Sequence, residues 1–234
     1  MAYKDIAATN TSSSNPSVNM PATAAAGDRA LCFVIQDTNG TTIAPPAGWT
    51  STELTNANQS GPDGQTFRCF EKKQLDGTEG ASQVWTAPNN NARWLIVVFS
   101  GRHATNDVSF ATPTTNTTSD GTSPRTITAA SGTCVAGDDV IAVFNTDQQG
   151  GSDVWSFSGW SSGLTEQNEG NTTWISVGAA TVDSASAGAF GSVSVDITRT
   201  TGSNNTGWGA IVVAIPSSGG GGGGGATIMG QACL

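Results

Sequence analysis

Ala26-Gly27-Asp28-Arg29-Ala30-Leu31-Cys32-Phe33-Val34-Ile35 opens on a turn signal and continues as an apolar run. At an offset of 110 residues, Ala136-Gly137-Asp138-Asp139-Val140-Ile141-Ala142-Val143-Phe144 does the same. Each run is short for a helix and starts directly after a Gly-Asp pair, which reads as a buried central β-strand. The runs end alike, in Gln36-Asp37-Thr38 and Asn145-Thr146-Asp147. Further on come Gly48-Trp49-Thr50-Ser51 and Gly159-Trp160-Ser161-Ser162, then two tryptophan-led apolar runs, Trp94–Phe99 and Trp208–Ile215. Three landmarks recur in one order while the offset drifts only from 110 to 114. That is the signature of an internal repeat, with half-repeats over about 17–101 and 126–216. Between the last two landmarks each half offers an aromatic strand, Phe67–Lys72 and Thr173–Val177, a pair that needs a loop-length difference to align.

Composition agrees with a β reading. Charged residues are 12% of the 234, against a norm of about 25%, and 30 glycines with abundant Ser, Thr and Asn suit short strands and many turns. Ser82–Thr86, Arg125–Thr128 and Ser192–Thr198 alternate, the last with Val193, Val195 and Ile197 on one face. Each half supplies four or five strands. Half a sandwich leaves a face uncovered, so the halves are expected to close on each other. The expected fold is all-β: one jelly-roll-like two-sheet sandwich of two related halves over residues 1–218, with two separate small domains as the alternative. Thr112 to Ser123 reads as a polar loop.

The net charge of −9, with only Lys4, Lys72, Lys73 and six scattered arginines, argues against nucleic acid and against an anionic membrane surface as partners. No stretch of 18 apolar residues is present. The Met1–Asp5 start has no apolar signal core behind it, which predicts synthesis in, and no secretion from, a cytoplasm. Cys32, Cys69, Cys134 and Cys233 lie far apart, and there is one histidine, so zinc spacings are missing and free thiols of a reducing compartment are expected.

Nothing in the chain assembles a catalytic set, and the expectation is a protein that is not an enzyme and holds no cofactor or metal. His103 is the sole imidazole base and no G-x-S-x-G elbow accompanies it. Asp138-Asp139 is the only adjacent acidic pair, and it stands where a Gly-Asp turn starts a strand. Asp147 to Asp153 is at best a weak calcium loop. Among seven tryptophans, Trp94 and Trp208 read as core, and Trp49 and Trp160 as residues of one shared packing role. Trp155, beside the Asp153 loop, is the first choice for stacking on a glycan.

The C-terminus differs from the rest. Gly219–Gly225 is an unbroken glycine tether. It leads to Ala226-Thr227-Ile228-Met229-Gly230-Gln231-Ala232-Cys233-Leu234, which carries no charged side chain. The expectation is either an inconsequential tail or an anchoring peptide whose Ile228, Met229, Cys233 and Leu234 contact a neighbouring subunit, as by strand addition.

Met20-Pro21-Ala22, Ala25-Ala26-Gly27-Asp28, Pro46-Ala47-Gly48-Trp49-Thr50, Phe70-Glu71-Lys72 and Phe99-Ser100-Gly101 together resemble a module of tailed-bacteriophage virion proteins and some bacterial surface proteins. The match covers about 17–101, with a looser echo in 126–216 that lacks the proline and the lysine. The resemblance implies a virion structural protein made in the bacterial host cytoplasm. Its role would be that of a head decoration (cement) protein that binds the capsid lattice and self-associates, a trimer being the expected homo-oligomer. The alternative role is a fibre or tail-tip adhesin that binds host surface glycans. It carries over no catalytic residue.

Overall fold

The computed structural model describes residues 3–38, 40–51, 53–58, 64–88, 91–102, 104–147, 153–183, 185, 188–190, 192–202 and 206–217. Every named element is a strand. In the first half these are β1 (Tyr3–Thr11), β2 (Ser17–Asn19), β3 (Arg29–Gln36), β4 (Thr55–Asn56), β5 (Thr66–Lys72), β6 (Ser82–Val84) and β7 (Ala92–Phe99). Then come β8 (Ser109–Phe110), β9 (Thr114–Asp120), β10 (Arg125–Thr128), β11 (Gly132–Cys134), β12 (Asp139–Asp147) and β13 (Val154–Ser158). The last are β14 (Thr165–Asn171), β15 (Ile175–Val182), β16 (Gly188–Phe190), β17 (Ser194–Thr201) and β18 (Thr206–Ile215).

Two large antiparallel sheets form the centre, in the orders β1-β7-β3-β5-β4 and β14-β15-β12-β18-β8, with β9 also paired to β18. They lie face to face over one apolar core. Leu31, Phe33, Ile35, Phe67, Leu95 and Val97 of the first sheet share it with Ile141, Val143, Ile175, Val177, Ile211 and Val213 of the second. The alternate residues of the same strands point the other way and are buried too. Ala30, Cys32, Val34, Trp94 and Ile96 pack under the β2–β6 ribbon and its loops with Trp49 and Trp85. Val140, Ala142, Phe144, Ala210 and Val212 pack under a third sheet, β10-β17-β13, through Ile127, Trp155, Phe157, Val195 and Ile197. Burial on both faces explains why the central strands read as continuous apolar runs rather than alternating ones. The expected two-sheet sandwich is therefore present at the centre, but covering layers flank it on both sides.

The two central sheets are wired alike. Leu31 lies opposite Glu71 and Ile141 opposite Thr181, so both strands of that pair recur at an offset of 110. Phe67 consequently corresponds to Val177, opposite Ile35 and Asn145 respectively. Alignment by aromatic content, which set Phe67–Lys72 against Thr173–Val177, is corrected by this register, which pairs the two strands at the offset of 110. The closing strands also shift. Trp94 faces Val34, whereas the residue facing Phe144 is Ala210, and Trp208 faces Thr146 two positions away. A two-residue step keeps a side chain on the same face of a strand, which is how both tryptophans reach the outer cores despite unlike registers.

The Gly-Asp signal is a turn with a defined job. Gly27 and Gly137 have φ of +87° and +91°, a region open to glycine at little cost. Asp28 Oδ2 accepts from Ala25 N–H at 2.9 Å, and Asp138 Oδ2 from Val135 N–H at 2.8 Å. Gly27 N–H donates to Leu75 O and Leu75 N–H to Asp28 O; in the second half Gly137 N–H donates to Ala185 O and Ala185 N–H to Asp138 O. The motif thus launches a central strand and pins a second segment beside it.

Polar ties hold the sheets together at their edges. Arg93, buried on β7, donates to Asn10 Oδ1 on β1 at 2.9 Å and to Asn168 Oδ1 on β14 at 2.7 Å. A methyl group on Gly170 would fall 2.4 Å from its Nη2, so only glycine leaves room for the guanidinium. Residues 112–123, expected as a loop, contain β9, whose polar Thr114-Thr115-Asn116 pairs with β18. An edge strand needs backbone partners but not apolar alternation, and this one shows none.

Candidate functional site

Arg102 follows β7 and grips the second half. Its Nη2 pairs with Asp139 at 2.8 Å, its Nη1 donates to Gly137 O at 3.0 Å, and its backbone bridges Ser217. Arg29 pairs with Glu71 inside the first sheet and donates to Asn106 O at 2.7 Å. Burial pushes the Glu71 carboxyl above its ordinary value, and the Arg29 charge and hydrogen bond offset that only in part. Both ion pairs are enclosed, with side chains at most 1% exposed, which suits them to fastening the fold.

The thiols are equally withdrawn. Cys32, Cys69 and Cys134 are buried thiols in no disulfide, and burial holds the Cys32 and Cys69 thiols well above their usual range, away from the reactive thiolate. Cys32 faces the outer core and Cys69 the inner one, on neighbouring strands. Among the described residues no group of three or more His, Cys, Asp and Glu side chains could hold a metal ion. Asp153 is buried, and residues 148–152 of the Asp147–Asp153 stretch lie outside the described residues, as do His103, Ile228, Met229, Cys233 and Leu234.

Trp155 occupies a place unlike the one expected for sugar stacking. It is 1% exposed in the outer core, with the guanidinium carbons of Arg125 and Arg199 at 5.6 and 5.5 Å from its ring centroid. The protein's own cations occupy the ring by cation–π contact. Trp49 and Trp160 do share a packing role. Trp49 meets Trp85 at 5.2 Å above the first sheet, and Trp160 meets Phe144 at 5.7 Å above the second.

An open polar pocket lies on the outer face of the third sheet. Alternation sends Ile127, Val195, Ile197 and Phe157 inward, and leaves Thr126, Asp196, Thr198 and Ser158 outward. Thr126 stands opposite Asp196, and Asp196 in turn opposite Ser158, so a row of short polar side chains crosses three strands. With Pro124, Arg125 and Thr198 this row lines a pocket of about 320 Å³. Thr126 Oγ1 donates to Asp196 Oδ1 at 2.5 Å, and Arg125 is held by Thr206 O at 2.8 Å. Asp196 forms no ion pair among the described residues. A methyl group on Gly159 would sit 2.7 Å from Asp196 Oδ2, so glycine there keeps that oxygen's corner open.

The corresponding corner of the first half is shut. A methyl on Gly48 would meet Lys72 Nζ at 3.2 Å, and that ammonium is held by Glu79 at 2.9 Å and Asp76 at 3.6 Å. The sequence contained the signal for the open pocket in the polar faces of Arg125–Thr128 and Ser192–Thr198. Single-strand alternation gave no reason to set those faces side by side. No protein-family model matches the chain, and no curated protein or solved structure matches it.

Proposed function

We propose that this chain is a structural component of a tailed-phage virion, a non-catalytic head decoration protein that binds the capsid lattice and associates with copies of itself. The observation that carries the reading is the ordered pattern Ala25-Ala26-Gly27-Asp28, Pro46-Ala47-Gly48-Trp49-Thr50 and Phe70-Glu71-Lys72. Its members are architectural: Gly27 and Asp28 form a strand-launching turn, Trp49 and Phe70 are core, and Lys72 fastens a loop. A protein whose shared residues all serve the scaffold fits a role of occupying a lattice. In this reading the glycine tether gives the terminal Ile228, Met229, Cys233 and Leu234 reach to a neighbouring subunit.

A second reading, a fibre or tail-tip adhesin for host glycans, draws on the open polar pocket around Asp196. Co-sedimentation with phage heads lacking this protein separates the two, comparing the full chain with one ending at Ser218. Decoration anchored by the tail requires saturable binding by the full chain and weaker binding by the shortened one. Labelling of host cells with no binding to heads by either form would replace decoration with adhesion.

A further inference from the structure

We infer that the pocket between β10, β17 and β13 is a binding subsite for a single neutral pyranose ring, such as the terminal sugar of a glycan. The inference does not depend on where in a virion the chain sits.

Several features converge on that ligand class. A sugar presents adjacent hydroxyls that donate and accept at once, and it needs partners able to do the same. Asp196 supplies acceptor oxygens, one of them used by Thr126 and the other beside the bare Gly159. Ser158 and Thr198 add hydroxyls, which act in either direction. The ring of Pro124 supplies an apolar wall for the C–H face of a pyranose. About 320 Å³ lies at the lower end of the range for small-ligand pockets and is large enough to take one ring.

Other occupants fit less well. A divalent cation of the calcium type takes six to eight oxygens, usually from several carboxylates, and this pocket has one carboxylate. A phosphate or carboxylate ligand would meet the Asp196 charge at the centre of the row, while Arg125 Nη2 already donates to Thr206 O and its guanidinium carbon lies 5.6 Å from the Trp155 ring centroid. The internal comparison points the same way. In the first half the corner beside Gly48 is filled by Lys72 and its two acidic partners, whereas beside Gly159 the carboxylate is left for an external donor. With no aromatic platform, binding is expected to be weak, in the millimolar range, and to gain strength only through several copies.

The test is an amide chemical-shift titration of the full, isotope-labelled chain with methyl glycosides of glucose, galactose, mannose and N-acetylglucosamine. At least one should give saturable shifts confined to residues of β10, β13 and β17 around Asp196. Asp196→Ala should weaken that binding roughly tenfold or more, as expected on losing hydrogen bonds to a charged acceptor. Thr198→Val, which keeps the charge and the side-chain size, should weaken it less. The dispersion of each variant's own spectrum shows whether it has folded. Absence of saturable shifts with all four glycosides would overturn the assignment. So would shifts that persist unchanged in both variants, or a response of the same amides to calcium ions alone.

Discussion

The first and second central sheets share a strand order and a launching turn, yet they are covered by different means. Above the first sheet sits a close aromatic cluster in which Trp85 meets Trp49, Phe70 and Trp94 at 5.2, 5.2 and 5.3 Å. Above the second lies a separate three-stranded sheet, whose inward Trp155, Phe157 and Ile197 do the same work. A sheet buried on both faces demands apolar cover of adequate area, and the demand does not specify the backbone that supplies it. The difference has a consequence at the surface. Beside the aromatic cluster the charged groups are paired with each other, as Lys72 is with Glu79 and Asp76. A covering sheet must turn a whole polar face outward, and that face carries the Asp196 pocket.

The largest test of the comparison concerns the two buried ion pairs. Arg29–Glu71 lies within the first half, whereas Arg102–Asp139 joins the connecting segment to the second. Arg102→Ala should cost about 3–5 kcal/mol by leaving Asp139 charged and enclosed, read as a lower urea midpoint. Arg102→Met with Asp139→Leu should recover most of that loss. A double variant as unstable as the single one would mean that the geometry of the pair, and not its desolvation, holds the junction.

A middle-sized effect comes from the turns. Gly27→Ala and Gly137→Ala each force an alanine into the left-handed region, at about 1–2 kcal/mol. At Gly27 nothing lies within 4 Å of the added methyl, whereas at Gly137 Ser217 Oγ is 3.3 Å away. The second substitution should therefore be the costlier by a small margin in thermal melts. Equal costs would show that Ser217 yields, and a cheaper Gly137→Ala would break the equivalence of the two turns.

The smallest effect is a pH dependence specific to the first half. Burial alone would raise Glu79, but the Lys72 hydrogen bond, the Asp76 N–H, its own N–H and the Lys72 charge outweigh it and leave its carboxyl below the ordinary value. Asp76 is likewise lowered, first by its Thr78 side-chain and backbone hydrogen bonds. A carboxyl lowered in the folded state binds its proton less tightly there than when unfolded. Its contribution is complete above the unfolded value and is lost as pH falls through the folded one. Acidification below about pH 4.5 should thus release the 73–80 loop before the second half is affected. Loss of protection there in hydrogen exchange, with β12 and β15 still protected, is the expected pattern; simultaneous loss in both halves would contradict it.

Legibility followed burial. β3, β7, β12 and β18 were visible as apolar runs because both their faces are enclosed, and β10 and β17 because one face is. β9 and β14, Thr114–Asp120 and Thr165–Asn171, were not visible, since an edge strand can be polar throughout and still complete a ladder. Trp155 illustrates the opposite difficulty. Its neighbours in sequence suggested an exposed loop, and strand pairing with β17 placed it under two arginines instead.

By itself the sequence determined the strand character of the chain, the turns that launch β3 and β12, and the set of side chains that must be hidden. These are local matters of period, glycine geometry and side-chain polarity. Only the tertiary structure decided which faces meet: that the two large sheets share one core, and that Asp196, Thr126 and Ser158 form a row across three strands distant in the chain. Pairing register joins residues far apart in sequence, and it is settled by the packing of whole sheets, which no single segment encodes.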